Sequence, residues 1–156
     1  MEVEKLEFFR KCMDDAFQKV VSQITEMTFV PIDDLLPVSD EKKFSLIVGM
    51  VGNNKGHVLL ELNENLARKI FEAMNGFPPD DDLELCLHLA EFANMVSGNG
   101  LTGINNFFKS SELRLTPPAI FAGKNLEITS NKVSSTGSSY CSEHGNLRLE
   151  VGIEGK

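Results

Sequence analysis

The chain has 156 residues, 42% of them hydrophobic, with a formal charge of −8, 11 Phe, one Tyr and no Trp. That supplies one apolar core and points to one domain spanning residues 1–156. Nucleic acid is an unsuitable partner, because holding phosphates takes a basic face and no basic cluster exceeds Lys42-Lys43.

No run reaches the roughly 20 apolar residues that span a bilayer. The start, MEVEKLEFFRK, lacks the basic and continuously apolar pattern of a signal peptide, so a cytoplasmic location without membrane contact is expected. Cys12, Cys86 and Cys141 are an odd set without metal-like spacing and read as reduced thiols. Cys12 and Cys86 fall in apolar helical stretches, as small buried hydrophobes do.

Phe9, Met13, Phe17, Val20, Val21, Ile24 and Met27 recur at helical spacing and predict a first helix over 4–28. Pro31 and Pro37, with Asp33, Asp34, Ser39 and Asp40, predict an irregular connection. Phe44 to Val51 and His57 to Leu62 read as strands joined by the turn GNNKG, hence a hairpin. Asn63 is a suitable N-cap for a second helix with Leu66, Ala67, Ile70, Phe71 and Met74 on one face, stopped at Asn75-Gly76. The third helix begins in the acids at Asp80 and runs to about Phe108, interrupted or thinned between Gly98 and Gly103. After Pro117-Pro118 come strands and turns. Ile120-Phe121, Leu126 to Thr129 and the alternating Leu147 to Ile153 are the strands, with turns at GKNLE and EHGN. The Ser-rich stretch 134–139 reads as a mobile loop. Runs of strands set apart from runs of helices predict an α+β fold, a mostly antiparallel sheet with long helices packed on it. A long helix followed by paired strands occurs in both halves, a hint of duplication.

The familiar catalytic signatures are missing: no phosphate-binding Gly-rich loop ending in Gly-Lys, no Gly-x-Ser-x-Gly, no His-Glu-x-x-His. His57, His88 and His144 are dispersed. His88 and Glu91 share a helical face, but two ligands without a third make a poor metal site. Asp80, Asp81 and Asp82 lack the spacing of a calcium loop and read as a solvated helix start.

That leaves EFANMVSGNG, residues 91–100. Glu91 and Asn94, three apart, project from the same side of a helix whose other residues are apolar. An amide offers one donor and one acceptor, with which it can orient a water. Such help suffices for phosphoryl transfer, where catalysis is mostly positioning and electrostatics. A carboxylate beside a phosphate repels it, so the sensible partner for Glu91 is a lysine on another molecule. Gly98 and Gly100 keep the helix surface low for a close approach, or else cap the helix. Asn99 adds a second amide one turn on.

The stretch AEFANMVSGNG resembles the signature of the CheC/CheX/FliY family of bacterial chemotaxis phosphatases, Glu-x-x-Asn followed by Gly-Asn. TPPAIFAGKNLEI at 116–128 is similar to a second stretch of CheX proteins, Thr-Pro-Pro, a short apolar run and Gly-x-x-Leu-x-Ile. The length, the single Glu-x-x-Asn and the acidic lead-in resemble CheX, whereas CheC-type members usually carry two copies. The resemblance implies a CheC/CheX-like α+β fold and a protein phosphatase that hydrolyses the aspartyl phosphate of a phosphorylated CheY-type response regulator, ending the signal to the flagellar motor. It implies that Glu91 contacts the lysine of the receiver active site and that Asn94 aligns the attacking water. Gly98 and Asn99 match the tail of the motif as supporting residues. The resemblance implies no cofactor of this chain's own, with Mg²⁺ brought by the receiver. A homodimer paired through sheet edges is also implied. The competing expectations are a non-catalytic module on the same fold that docks a receiver or a flagellar switch component, and a metal-dependent enzyme built on His88 and Glu91.

Overall fold

The computed structural model describes residues 2–33, 42–109, 112–124 and 133–154. In chain order the elements are α1 (Glu2–Ile24), β1 (Val30–Ile32), β2 (Lys43–Val51), β3 (Gly56–Asn63), α2 (Glu64–Asn75), α3 (Asp82–Phe107), β4 (Arg114–Leu115), β5 (Ala119–Gly123), β6 (Val133–Ser142) and β7 (Gly145–Glu154). The fold is α+β, as expected. Among the described residues all strand pairings are antiparallel and form one seven-stranded sheet in the order β1-β6-β7-β3-β2-β4, with β5 also on β2.

One face of the sheet is apolar by strict alternation. Phe44, Leu46 and Val48 of β2 stand opposite Leu62, Leu60 and Val58 of β3, which in turn face Leu147, Leu149 and Val151 of β7. All nine are buried, and each such side chain contributes roughly 1.5–3 kcal/mol by leaving water. The three helices cover this face and share one core with it. Phe9, Met13, Phe17, Val20 and Val21 descend from α1; Leu66, Ala67, Ile70 and Phe71 from α2; Leu85, Leu89, Phe92, Ala93, Val96 and Ile104 from α3. Salt bridges such as Lys43–Glu61 at 2.8 Å are laid on strands whose alternate residues form the core.

The topology has a two-fold pattern about the central β3–β7 pair. β1, which follows α1, pairs with β6 of the second half, while β4 and β5, which follow α3, pair with β2 of the first. The hint of duplication thus has a structural counterpart. α1 and α3 run antiparallel, since Phe8 near the start of one stacks on Phe107 and Phe108 at the end of the other, at 4.6 and 5.3 Å between ring centroids.

Several expectations change. The first helix ends at Ile24 rather than residue 28, because Thr25 turns its hydroxyl back to the Val21 carbonyl (2.7 Å) and then accepts the Met27 amide (3.1 Å). Pro31 lies in the short edge strand β1, which tolerates a residue without an N–H. Asn63 stands at the N-cap of α2 without a side-chain capping bond, although Gly76 closes that helix in the left-handed conformation as expected. The Ser-rich stretch 134–139 is not a loop but the body of β6. The third helix is not interrupted at its glycines. The strand expected at Leu126 to Thr129, most of the GKNLE turn before it, and Asp34, Pro37, Ser39 and Asp40 of the connection lie outside the described residues.

Candidate functional site

The site is held by α3, whose start is fixed twice. Asp81 caps it, accepting the Glu84 amide at 2.8 Å. Asp82 then accepts from Lys42 at 2.6 Å and from Arg68 of α2 at 3.0 Å, so the residue that leads into β2 meets α2 and α3 in one ionic cluster. The Lys42 ammonium, and after it the Arg68 guanidinium, hold the Asp82 carboxyl below the ordinary carboxylate range. The far end is clamped as well. Asn105 donates to the Leu113 carbonyl and accepts the Leu113 amide, both at 3.0 Å.

Between these anchors one stripe of α3 faces outward: Leu83, Leu87, Glu91, Asn94, Gly98 and Thr102, at spacings of three and four. Leu83 and Leu87 are 70% and 64% exposed. Glu91 and Asn94 are exposed, and among the described residues neither is engaged in a hydrogen bond or an ion pair. Their neighbours Phe92, Ala93, Val96 and Ser97 are buried. The helix carries Asp82, Glu84 and Glu91 but neither Lys nor Arg, so its outward face favours a cationic group.

The supporting residues divide. Gly98 is on the outward stripe, but Gly100 is buried against α1, where an added Cβ would collide with the Met13 sulfur. Gly100 therefore serves the packing of two helices rather than a partner's approach. Asn99 is exposed but turns its amide back to the Met95 carbonyl at 2.8 Å, so it does not offer the second amide that the spacing suggested. Neither Gly98 nor Gly100 caps a helix, since α3 continues to Phe107.

His88 faces inward from Glu91's stripe. Its Nδ1 lies 3.0 Å from the Glu84 carbonyl and its ring meets Phe71 edge-on at 4.6 Å. Among the described residues no group of three or more His, Cys, Asp or Glu is placed to hold a metal ion. Burial pushes the Cys12 and Cys86 thiols up, away from the reactive thiolate form.

The stretch from Thr116 has a structural role that spacing alone did not show. Thr116 and Gly49 exchange two bonds, Gly49 amide to Thr116 hydroxyl and Thr116 amide to Gly49 carbonyl, both at 2.9 Å. This seats β4 and β5 on the edge of β2. The signal for it was a Thr before two prolines opposite a glycine in a strand.

Two clefts among the described residues lie elsewhere. One of about 310 Å³ is lined by Lys55, His57 and Glu154, and one of about 560 Å³ by Asn53, Glu112 and Arg114; neither includes Glu91 or Asn94. Small-molecule sites are concave. Glu91 and Asn94 stand instead on an exposed helix ridge.

Fold and site thus define an α+β protein that presents a carboxylate and an amide on the outer ridge of a sheet-packed helix. The chain belongs to the chemotaxis phosphatase CheX family, whose model matches residues 44–141. It is similar to chemotaxis protein CheX from Vibrio vulnificus, at 23% identity and a TM-score of 0.77, with 94% of this chain and 96% of that one covered. It is similar also to CheX from Desulfovibrio desulfuricans, at 19% identity and a TM-score of 0.80, over 94% and 99% of the two chains. A third similar structure, at 19% identity, a TM-score of 0.75 and coverage of 93% and 97%, is the CheX–CheY–BeF₃–Mg²⁺ complex from Borrelia burgdorferi. At these identities the likeness is one of fold. No curated protein sequence matches the chain. No helix among the described residues is long and apolar enough to cross a membrane.

Proposed function

We propose that this chain hydrolyses the aspartyl phosphate of a phosphorylated CheY-type receiver domain, with Asn94 orienting the attacking water and Glu91 engaging the receiver's active-site lysine. The observation that carries the reading is that Glu91 and Asn94 stand exposed, without a partner among the described residues, one turn apart, on a helix fixed at both ends. An acyl phosphate is already activated, so the remaining barrier is mostly alignment and charge. Asn94 would accept a hydrogen from the water through its amide oxygen and donate its N–H toward a phosphoryl oxygen. The water oxygen bonds to phosphorus as the bond from phosphorus to the aspartate oxygen breaks. The carboxylate leaves with that electron pair, and the water's proton departs with the phosphate or to solvent.

Mg²⁺ belongs to the receiver in this reading, as a CheY partner, BeF₃ and Mg²⁺ occur together in the similar Borrelia complex. It supplies charge neutralisation at the phosphoryl oxygens. Residues 1–156 act as one cytoplasmic domain, which the interleaving of strands from both halves in one sheet supports. A homodimer through sheet edges belongs to the same proposal. Among the described residues β6 pairs with β1 only at Ser139, Tyr140 and Cys141, and the outer edge of its earlier residues is where a second strand would add.

The test is phosphate release from a phosphorylated, Mg²⁺-loaded receiver of the same cell, wild type beside Asn94→Ala. Acceleration by wild type that Asn94→Ala loses supports the phosphatase. Binding without acceleration by either would leave a docking module and sink the enzyme.

A further inference from the structure

A glycine inside a long helix is unfavourable relative to alanine, so each of the three in α3 calls for a reason. Gly100 has one in Met13 of α1, and Gly103 lies against Cys12, whose sulfur would be 3.7 Å from an added Cβ. Gly98 has none among the described residues. Its added Cβ would meet none of their atoms within 4 Å, its φ is not in the positive region, and the helix runs on for more than two turns beyond it. Its carbonyl is already used, accepting the Thr102 hydroxyl at 2.9 Å.

Its position supplies the reason. Gly98 is the next residue after Asn94 on the outward stripe, one turn toward the C-terminus. Side chains of a helix lean back toward the N-terminus, so a side chain at 98 would cover the surface beside Asn94. Asparagine is short. For its amide to reach an atom inside another protein's pocket, the rim of that pocket must close onto the helix backbone itself. On one side of Asn94 the long Glu91 has a cationic partner to meet. On the other side any side chain would hold the rim away.

We propose that Gly98 is a positioning residue for the phosphatase reaction: its bare backbone admits the rim of the receiver's active site, so that Asn94 reaches the acyl phosphate. This rests on the phosphatase reading above.

The test compares wild type, Gly98→Ala, Gly98→Leu and Gly103→Ala in steady-state phosphate release from the Mg²⁺-loaded phosphorylated receiver, with melting temperatures alongside. Gly98→Ala and Gly103→Ala both gain helix propensity and should melt about 2–4 °C higher than wild type. Gly103→Ala should keep wild-type kinetics. Gly98→Ala should lose about tenfold in kcat/KM, and Gly98→Leu about a hundredfold, with kcat falling as well as KM rising, because a receiver held off by a fraction of its approach reacts more slowly even when bound. Gly98 variants as fast as wild type would overturn the clearance role while leaving the phosphatase intact. A Gly98→Ala protein that melts lower than wild type would also overturn it, by showing that the glycine serves internal packing. A wild type that accelerates no receiver while binding it would instead fail the phosphatase reading itself, and the clearance role with it.

Discussion

The two long helices lie side by side on the same sheet, yet they treat their polar residues in opposite ways. On α1, Glu7 pairs with Arg10 at 2.7 Å and accepts the Thr136 hydroxyl at 2.9 Å, while Asp14 accepts from Arg10 at 2.7 Å, Ser138 at 2.9 Å and Tyr140 at 2.7 Å. These residues tie α1 to β6. On α3, Glu91 and Asn94 tie the helix to nothing among the described residues. Polar groups that a fold uses are satisfied within it. Groups held on an equally rigid helix and left unsatisfied are free to serve a partner.

Mutations should separate the two helices. The largest effect belongs to Asn94→Ala, which should lower receiver-stimulated phosphate release by about 10²–10³-fold, the range for removing one oriented amide from a transition state. Its melting transition should stay within about 0.5 kcal/mol of wild type, as for an unpaired surface residue. Asp14→Ala should do the reverse. It strands the Tyr140 hydroxyl on a side chain that is 4% exposed and should cost about 2 kcal/mol in denaturant titration, with kcat of the folded protein unchanged. A loss of turnover without a loss of stability in Asp14→Ala would break the comparison.

Glu91→Ala comes next, with receiver affinity expected to fall about tenfold, the order for one charge-assisted contact. Titrations at low and high salt should show the deficit shrinking as salt rises. The smallest effect is at Tyr140. Burial first, and the hydrogen bond to the Asp14 carboxylate second, push its phenol well above the ordinary value of 10.0. A group whose proton is held more tightly in the folded state contributes stability that is complete below the unfolded pKa and fades as pH climbs past it. Thermal stability should therefore decline above about pH 10, and Tyr140→Phe, costing about 1 kcal/mol at neutral pH, should flatten that decline.

The sequence made some of this plain and hid the rest for physical reasons. The β2–β3 hairpin and α2 were legible because alternation, a turn and a Gly76 stop all agree with the final packing. Glu91 and Asn94 were legible because two polar residues break an apolar helical pattern on one face. β6 was not, because strands are read from apolar alternation and its helix-facing positions are Thr136, Ser138 and Tyr140, which meet α1 by hydrogen bonds instead. The glycines of α3 suggested a break because their local preference is poor, but at Gly100 the close contact with Met13 outweighs it. The separate fates of Gly98, Asn99 and Gly100 depend on which way each position faces across the α1–α3 contact, and spacing along one chain does not say.

The interleaved sheet also has a consequence for biosynthesis. β7 sits at the middle of the sheet but is the last described strand in chain order, and β3 waits for it from the first half. Until β7 is made, β3 has no partner on that edge, and β6, which pairs with β1, lacks its own longer partner. Contacts so distant along the chain form late and slowly. A chain cut short before β7 would carry the ridge bearing Glu91 and Asn94 on an unclosed sheet and is expected to be cleaved by proteases faster than the intact one.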